Sequence, residues 1–307
     1  MGSASQRVFS AIIGVCCFGL LATTARRAAA VVIGDPAALA GTPTPAGFSY
    51  VGQVDGASGV YVGNGWVLTA AHVGVPTGFT LGGSTYNVSA GSPVELTNPN
   101  GTPTDLQLFK LTSSPALTNL NIPFDSPGVN TLIYDIGFGA GRSGNLTNFG
   151  DMSNPEWGFA ETAPGTEIWG TNDTIAVDGD GNPDSSGNAI AYIQVNGDPG
   201  PIYGFFTQFY SDLADYNNGG NGTGEAQIAG DDSGGGVFDS NGDLIGIMDG
   251  NASQIPGDAI LGDASAYVDV AEYRQQIDDI TGLPEPTTIG VLSFIAVIGL
   301  GRRVRPQ

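Results

Sequence analysis

Gly63-Asn-Gly-Trp-Val-Leu-Thr-Ala-Ala-His-Val73 contains the only histidine of the chain. Val60-Tyr-Val62 before it reads as one strand, Asn64-Gly65 as a tight turn, and Trp66-Val-Leu68 as the returning strand. The small residues Thr69-Ala70-Ala71 let the chain bend closely and leave His72 at the mouth of a loop. A neutral imidazole is the side chain best suited to move protons near neutral pH. A lone histidine also fits a plain core or surface role, so the groups available to work with it decide the reading.

The surroundings of this hairpin are of one kind. The chain has 307 residues, 49 of them Gly, and only 13% are charged. Short Val/Ile/Tyr/Phe-rich runs alternate with Gly, Asn, Asp and Pro clusters, and no long helix-period pattern appears. That pattern predicts an all-β chain with many turns. The formal charge is −21 with nine Lys+Arg. Six of those nine lie near the ends: Arg7, Arg26, Arg27, Arg302, Arg303 and Arg305. The middle keeps Lys110, Arg142 and Arg274 against nearly all the carboxylates, a surface that repels phosphate backbones and argues against nucleic-acid binding.

An imidazole used as a base needs a group to orient it. Thr104-Asp-Leu-Gln-Leu-Phe-Lys-Leu111 puts Asp105 at the head of an alternating strand, with Leu106 and Leu108 on one face and Gln107, Phe109 and Leu111 on the other. A carboxylate there needs a partner once buried, although a solvated Asp at a strand start is common. A nucleophile is the third requirement. Ala229-Gly-Asp-Asp-Ser-Gly-Gly-Gly-Val-Phe238 sets Ser233 in a glycine-rich bend before a strand. Serine is a weak nucleophile until a base takes its proton, and flanking glycines let backbone N–H groups converge where an oxyanion could sit. By itself the segment reads equally as a tight hairpin.

Together, Thr69-Ala-Ala-His72, Asp105-Leu-x-Leu-x-Lys-Leu111 and Asp232-Ser-Gly-Gly235 resemble the three catalytic motifs of trypsin-like serine peptidases, in that family's order. The separations are 105 − 72 = 33 and 233 − 105 = 128 residues, the second wide enough to imply insertions. Ile136-Gly-Phe-Gly139, Asp243-Leu-Ile-Gly-Ile247 and Ala266-Tyr-Val-Asp-Val270 with the following Glu272–Ile280 are weaker matches in the right order. The resemblance runs from about residue 31 to 282. It implies two packed antiparallel β-barrels, the first at about 45–122 and the second at about 123–282, with a short C-terminal helix. The linker is expected near 120–126, and the insertion at 172–211 in the second barrel.

The resemblance also implies a chemistry. Ser233 attacks a peptide carbonyl, His72 takes and returns the proton, and Asp105 holds the imidazole. The backbone N–H groups of Ser233 and Asp231 form the oxyanion hole. Asp231 departs from the family, which has Gly two residues before the serine, so a weak or inactive domain serving as a surface or matrix-binding module is the competing reading. Asp232 pairs, in the family, with a freed N-terminus, and Val31-Val-Ile-Gly34 resembles the family's N-terminal segment. Carry-over sets Gln227 near the base of the substrate pocket and Asp249, Gly250 and Asn251 along its wall. No cofactor is required, and the substrates are proteins or peptides.

Three further segments stand apart. Arg7, the apolar run from Val8 to Leu21 and Ala28-Ala-Ala30 read as a secretory signal peptide over 1–30. Cys16 and Cys17, the only cysteines, fall inside it, so the exported chain is expected to have no disulfides. Pro284-Glu-Pro286, the apolar stretch 289–301 and the following arginines resemble a PEP-CTERM sorting signal over 283–307. That resemblance implies exosortase-type machinery as a partner, transient membrane association through 289–301, and delivery to the cell surface, outer envelope or matrix of a Gram-negative-type bacterium. Asp178-Gly-Asp-Gly-Asn-Pro-Asp184 offers oxygens from Asp178, Asp180, Asn182 and Asp184 at alternate positions, as calcium loops do, and reads either as a structural calcium site or as a solvated acidic loop.

Overall fold

Short β-branched and aromatic runs, cut by Gly, Asn and Asp, become antiparallel strands in the computed structural model, with one α-helix among the described residues. It describes residues 31–37, 39–151, 153–195, 197–210, 225–251 and 258–283. The expected signal segment 1–30 and, from residue 284 onward, the sorting segment lie outside these. No helix of the described residues is long and apolar enough to cross a membrane.

In chain order the strands begin with β1 (Val32–Ile33), β2 (Val51–Val54), β3 (Ala57–Gly63), β4 (Trp66–Thr69), β5 (Gly78–Leu81), β6 (Ser84–Asn87), β7 (Val94–Thr97) and β8 (Pro103–Lys110). After them come β9 (Leu132–Gly137), β10 (Arg142–Asn148), β11 (Trp157–Glu161), β12 (Ile168–Asp173), β13 (Ala191–Ile193) and β14 (Ile202–Gln208). The last are β15 (Ala226–Gln227), β16 (Gly236–Phe238), β17 (Leu244–Asn251), β18 (Asp258–Ile260) and β19 (Ala264–Asp269), followed by helix α1 (Val270–Thr281).

The first half forms a sheet of order β6-β5-β2-β3-β4-β8-β7. It closes on itself just past β6 and β8, where Val88 bridges Leu111. Ser89 N–H donates to Lys110 O at 2.7 Å and Thr112 N–H to Asn87 O at 2.9 Å. Closure removes the open edges a sheet would otherwise expose. The Asn64-Gly65 turn has φ of 50° and 82°, the left-handed pair that a two-residue hairpin requires. The second half repeats the device. Its sheet runs β12-β9-β16-β17-β19-β14-β13, and Thr174 bridges Thr207 to close it. A three-stranded sheet, β10-β11-β18, and the short pair β1-β15 complete the strands.

Alternation along β8 sorts its side chains between two cores. Phe109 and Leu111 pack with Val54, Tyr61, Val67 and Phe79 inside the first barrel. Leu106 and Leu108 join a larger cluster that contains Ile136, Phe238 and Ile247 from the second half, so one strand fastens the two halves together. Each fully buried Leu or Phe of this kind contributes about 1.5–3 kcal/mol. Helix α1 adds a strap. Asp269 caps it by accepting from Ala271 N–H at 3.1 Å, and Gly282 ends it with φ 64°. Tyr273 on α1 donates its hydroxyl to Asn98 Oδ1 at 2.8 Å and accepts from Thr104 Oγ1 at 2.9 Å, tying the end of the second half to the first.

Candidate active site

β4 runs into a single 3-10 turn, Ala71–Val73, which carries His72. Asp105, next to the start of β8, is fully buried. It holds the turn from two sides. Its Oδ1 accepts the His72 backbone N–H at 2.7 Å, and its Oδ2 contacts His72 Nδ1 at 2.5 Å. The other ring nitrogen, Nε2, is 2.7 Å from Ser233 Oγ. With a proton on Nδ1 donated to Asp105, Nε2 keeps the lone pair that accepts from the serine hydroxyl. The three side chains singled out in the sequence therefore form one continuous hydrogen-bonded chain.

Charge follows this geometry. Burial alone would lower the His72 pKa, but the hydrogen bond and charge of Asp105, with the charge of Asp198, raise it above its ordinary value. Burial would raise the Asp105 carboxyl, yet its hydrogen bonds with His72 and Asp249 hold it below the usual range.

The serine loop fits closely against the first half. Ser58 N–H donates to Ser233 O at 2.9 Å. Gly234 has φ 84°, and a Cβ there would lie 2.1 Å from Thr69 Oγ1 and 2.2 Å from Ser58 O. Gly234→Ala is therefore expected to cost about 3 kcal/mol or more through the clash and the left-handed backbone, and to displace Ser233 from His72. Urea unfolding and turnover, measured together, check both effects.

Asp231 takes φ 68°, a conformation Gly holds without strain and Asp holds at some cost. The exposed side chain does not stop the turn from forming. Neither the Asp231 nor the Ser233 N–H has a hydrogen-bond acceptor among the described residues. Asp232 is fully buried. Its Oδ1 accepts from Gly139 N–H at 2.9 Å, and its Oδ2 from Ala229 N–H at 2.9 Å and Val31 N–H at 3.1 Å. Burial, only partly offset by these bonds, pushes its carboxyl up to about 7.

The expected pocket residues separate. Gly250 and Asn251 line a cavity of 260 Å³ together with Gln194, Phe206 and Ser265, and with Asp180 from the acidic loop. The Gln227 side chain is buried, with neither amide atom hydrogen-bonded, and is not part of that lining. Asp249 turns its carboxyl away from the wall expected of it, towards Asp105. Its backbone O accepts from Ser233 Oγ at 3.2 Å. Asp249 falls at a register irregularity of β17, between Met248 and Gly250 in the pairing with β19, and such a bulge re-aims a side chain.

In the acidic loop the carboxylates meet local donors. Asp178 Oδ1 accepts the backbone N–H groups of Asp180 and Asn182, each at 2.9 Å. Asp184 Oδ1 accepts from Ser186 N–H at 2.9 Å. These oxygens are turned to local donors rather than to one another, and no step of the chemistry is routed through calcium.

Sequence reasoning missed Asp198. It arrives from the loop between β13 and β14, with Oδ1 3.7 Å from His72 Nδ1. Burial and the Asp105 charge push its carboxyl up to about 6, against a lowering effect from His72. Asn196-Gly-Asp-Pro-Gly-Pro201 announces only a turn. The new role of Asp249 had a signal, an acidic residue at the end of the apolar run Leu244-Ile-Gly-Ile-Met248.

Residues 31–154 match the Trypsin family model, a span that holds His72 and Asp105 but ends before Ser233. No curated protein matches the chain. Among solved structures, the Rv3671c protease of M. tuberculosis in an inactive form is 15% identical, with 82% of this chain and 96% of that chain covered and a TM-score of 0.47. Neuropsin, a serine protease expressed in the limbic system of mouse brain, is 16% identical, covering 77% and 96%, with a TM-score of 0.49. Kallikrein-related peptidase 10 is 15% identical, covering 78% and 98%, with a TM-score of 0.44. The Trypsin-family match over residues 31–154 and the linked Asp105, His72 and Ser233 agree with each other, and the enzyme class they support is that of a serine-type endopeptidase, a hydrolase.

Proposed function

We propose that this protein is an exported serine endopeptidase that hydrolyses peptide bonds through an acyl-enzyme formed on Ser233. The observation that carries the proposal is the unbroken chain from Asp105 through His72 to Ser233, at 2.5 and 2.7 Å, beside two N–H groups that have no acceptor among the described residues. Ser233 Oγ adds to the scissile carbonyl as its proton passes to His72 Nε2. The tetrahedral oxyanion takes the N–H groups of Asp231 and Ser233, donors worth about 100–1000-fold in rate each. Collapse expels the amine, which leaves with the proton from Nε2. Water repeats the sequence on the ester. Asp105 stays ionised throughout and stabilises the imidazolium.

Export supports a second element of the proposal. Cleavage after Ala30 would give Val31 an α-ammonium within reach of Asp232, in place of an amide N–H. Secretion would then finish the serine loop without a separate activating cut. The PEP-CTERM-like tail fits retention at the cell surface or matrix after export. Incubating the exported protein with quenched peptides, and sequencing the new ends, tests the activity. Cleavage within the peptides, abolished by Ser233→Ala, supports it. Intact peptides after prolonged incubation with folded protein favour the matrix-binding alternative.

Asp231 is the observation behind that alternative, because its charge lies beside the expected oxyanion. Asp231→Gly relieves the left-handed backbone and removes the charge. It is expected to raise kcat about five-fold in steady-state peptide hydrolysis.

A further inference from the structure

Three carboxyl groups crowd the one imidazole. Oxygens of Asp105, Asp198 and Asp249 and a ring nitrogen of His72 all lie within 4.8 Å of one another. Each is fixed by a different element. Asp105 is on β8, and Asp249 is on β17, beside the carbonyl that accepts from Ser233 Oγ. Asp198 is on the β13–β14 loop, whose end at Gly200 and Pro201 packs on the first half. Asn98 Nδ2 donates to Pro201 O at 2.8 Å, and a Cβ at Gly200 would lie 2.2 Å from Pro103 O.

Asp249 is 2% exposed. As a carboxylate it has no donor for either oxygen. No Lys or Arg of the described residues pairs with any of the three acids. Lys110 lies over Trp66, and Arg274 bonds Asp278. Three ionised carboxylates this close and this buried cannot coexist without a compensating positive charge. A proton on Asp249 eases the conflict, since it removes one of the three charges and turns the contact with Asp105 into a hydrogen bond. Burial first, and then the neighbouring Asp105, raise its carboxyl well above the usual range, in agreement with the geometry.

We propose that Asp249 is held as a neutral carboxylic acid that donates a hydrogen bond to Asp105, making it a positioning residue for the imidazole. Its catalytic meaning rests on the peptidase reading, while its protonation state does not. A neutral donor fixes the Asp105 carboxylate without adding charge beside the ring. An ionised Asp249 would hold the proton on His72 more tightly and leave less of the ring in the neutral form that can accept from Ser233.

The single histidine makes the test direct. Ring 15N signals of His72, followed by NMR across pH in the exported protein, give its titration midpoint without ambiguity. In wild type the midpoint is expected above the ordinary 6.5. Asp249→Asn keeps shape and donor, and removes a charge only if one was there. Its midpoint is expected within about 0.3 pH of wild type, whereas Asp198→Asn, which removes a real charge, lowers it by about 1 or more. A fall in Asp249→Asn as large as that in Asp198→Asn overturns the proposal. So does a wild-type midpoint that moves on adding a chelator, because a bound cation would then stand where the proton is assigned. In turnover, Asp249→Ala is expected to lower kcat about 10–100-fold with KM little changed, and Asp249→Asn to recover most of that loss. A failure of Asn to recover it also counts against the proposal. The NMR result stands even if the wild type cleaves no peptide, so the two readings fail separately.

Discussion

Ser233→Ala and His72→Ala are each expected to lower kcat by about a million-fold on a peptide substrate, with KM little changed. The size follows from the coupling of the two groups. Nε2 and Oγ lie 2.7 Å apart, so neither can act once the other is gone: the hydroxyl keeps its proton, or the imidazole has none to take. The double variant is therefore expected to be no worse than either single one. Asp105→Asn is milder, about ten-thousand-fold, because the serine and base remain while the imidazole loses its correct tautomer and its counter-charge. Asp105 also accepts the His72 backbone N–H, so the turn itself loosens in that variant. Steady-state kinetics with thermal unfolding of each variant checks the order. Equal losses for all three, or a double variant far below the singles, would contradict a coupled unit.

The second large effect concerns the state of Val31. In a chain that retains Ala30, Val31 offers Asp232 an uncharged N–H at 3.1 Å, and the buried carboxyl sits at about 7 instead of 3.8. The sign follows from which state binds the proton. Between pH 4 and 7, roughly, the unfolded chain has released it while the folded chain keeps it. Stability therefore falls as pH rises through that window, by about 4 kcal/mol in total. A free Val31 ammonium would pair with the carboxylate, hold its pKa down and remove the fall. Urea unfolding at pH 5 and pH 8, on forms with and without the preceding residues, should show the two slopes. Peptide turnover should follow at pH 8, since Asp232 neighbours both expected oxyanion donors. Identical slopes in the two forms would show that Val31 carries no such charge.

Much of this site was legible because its chemistry is local. Asn64-Gly65 needs two left-handed residues, and the sequence supplies them. Gly139 in the Ile136-Gly-Phe-Gly139 run is needed because a Cβ there would lie 2.4 Å from Asp232 N. His72, Asp105 and Ser233 each stand in a motif whose small or alternating neighbours give away the turn or strand. Asp198 was illegible for the opposite reason. Its own neighbours specify a turn, and only the packing of the β13–β14 loop on Pro103 carries it to His72. Barrel closure was equally hidden, since nothing near Val88 or Leu111 names its partner. Asp249 lay between these cases: its mismatch with an apolar strand was visible, but the group it answers was not. The acidic loop at 178–184 stayed open between two readings, since alternating oxygens suit a calcium loop and a solvated turn alike, and Asp178 bonds its own backbone.

The most direct measurement is fluorophosphonate labelling of the folded, exported protein, with the modified residue located by peptide mass analysis. One equivalent on Ser233, absent in Ser233→Ala and sharply slowed in His72→Ala, is the expected result. Folded protein that takes no label, or that carries it on another residue, contradicts the account.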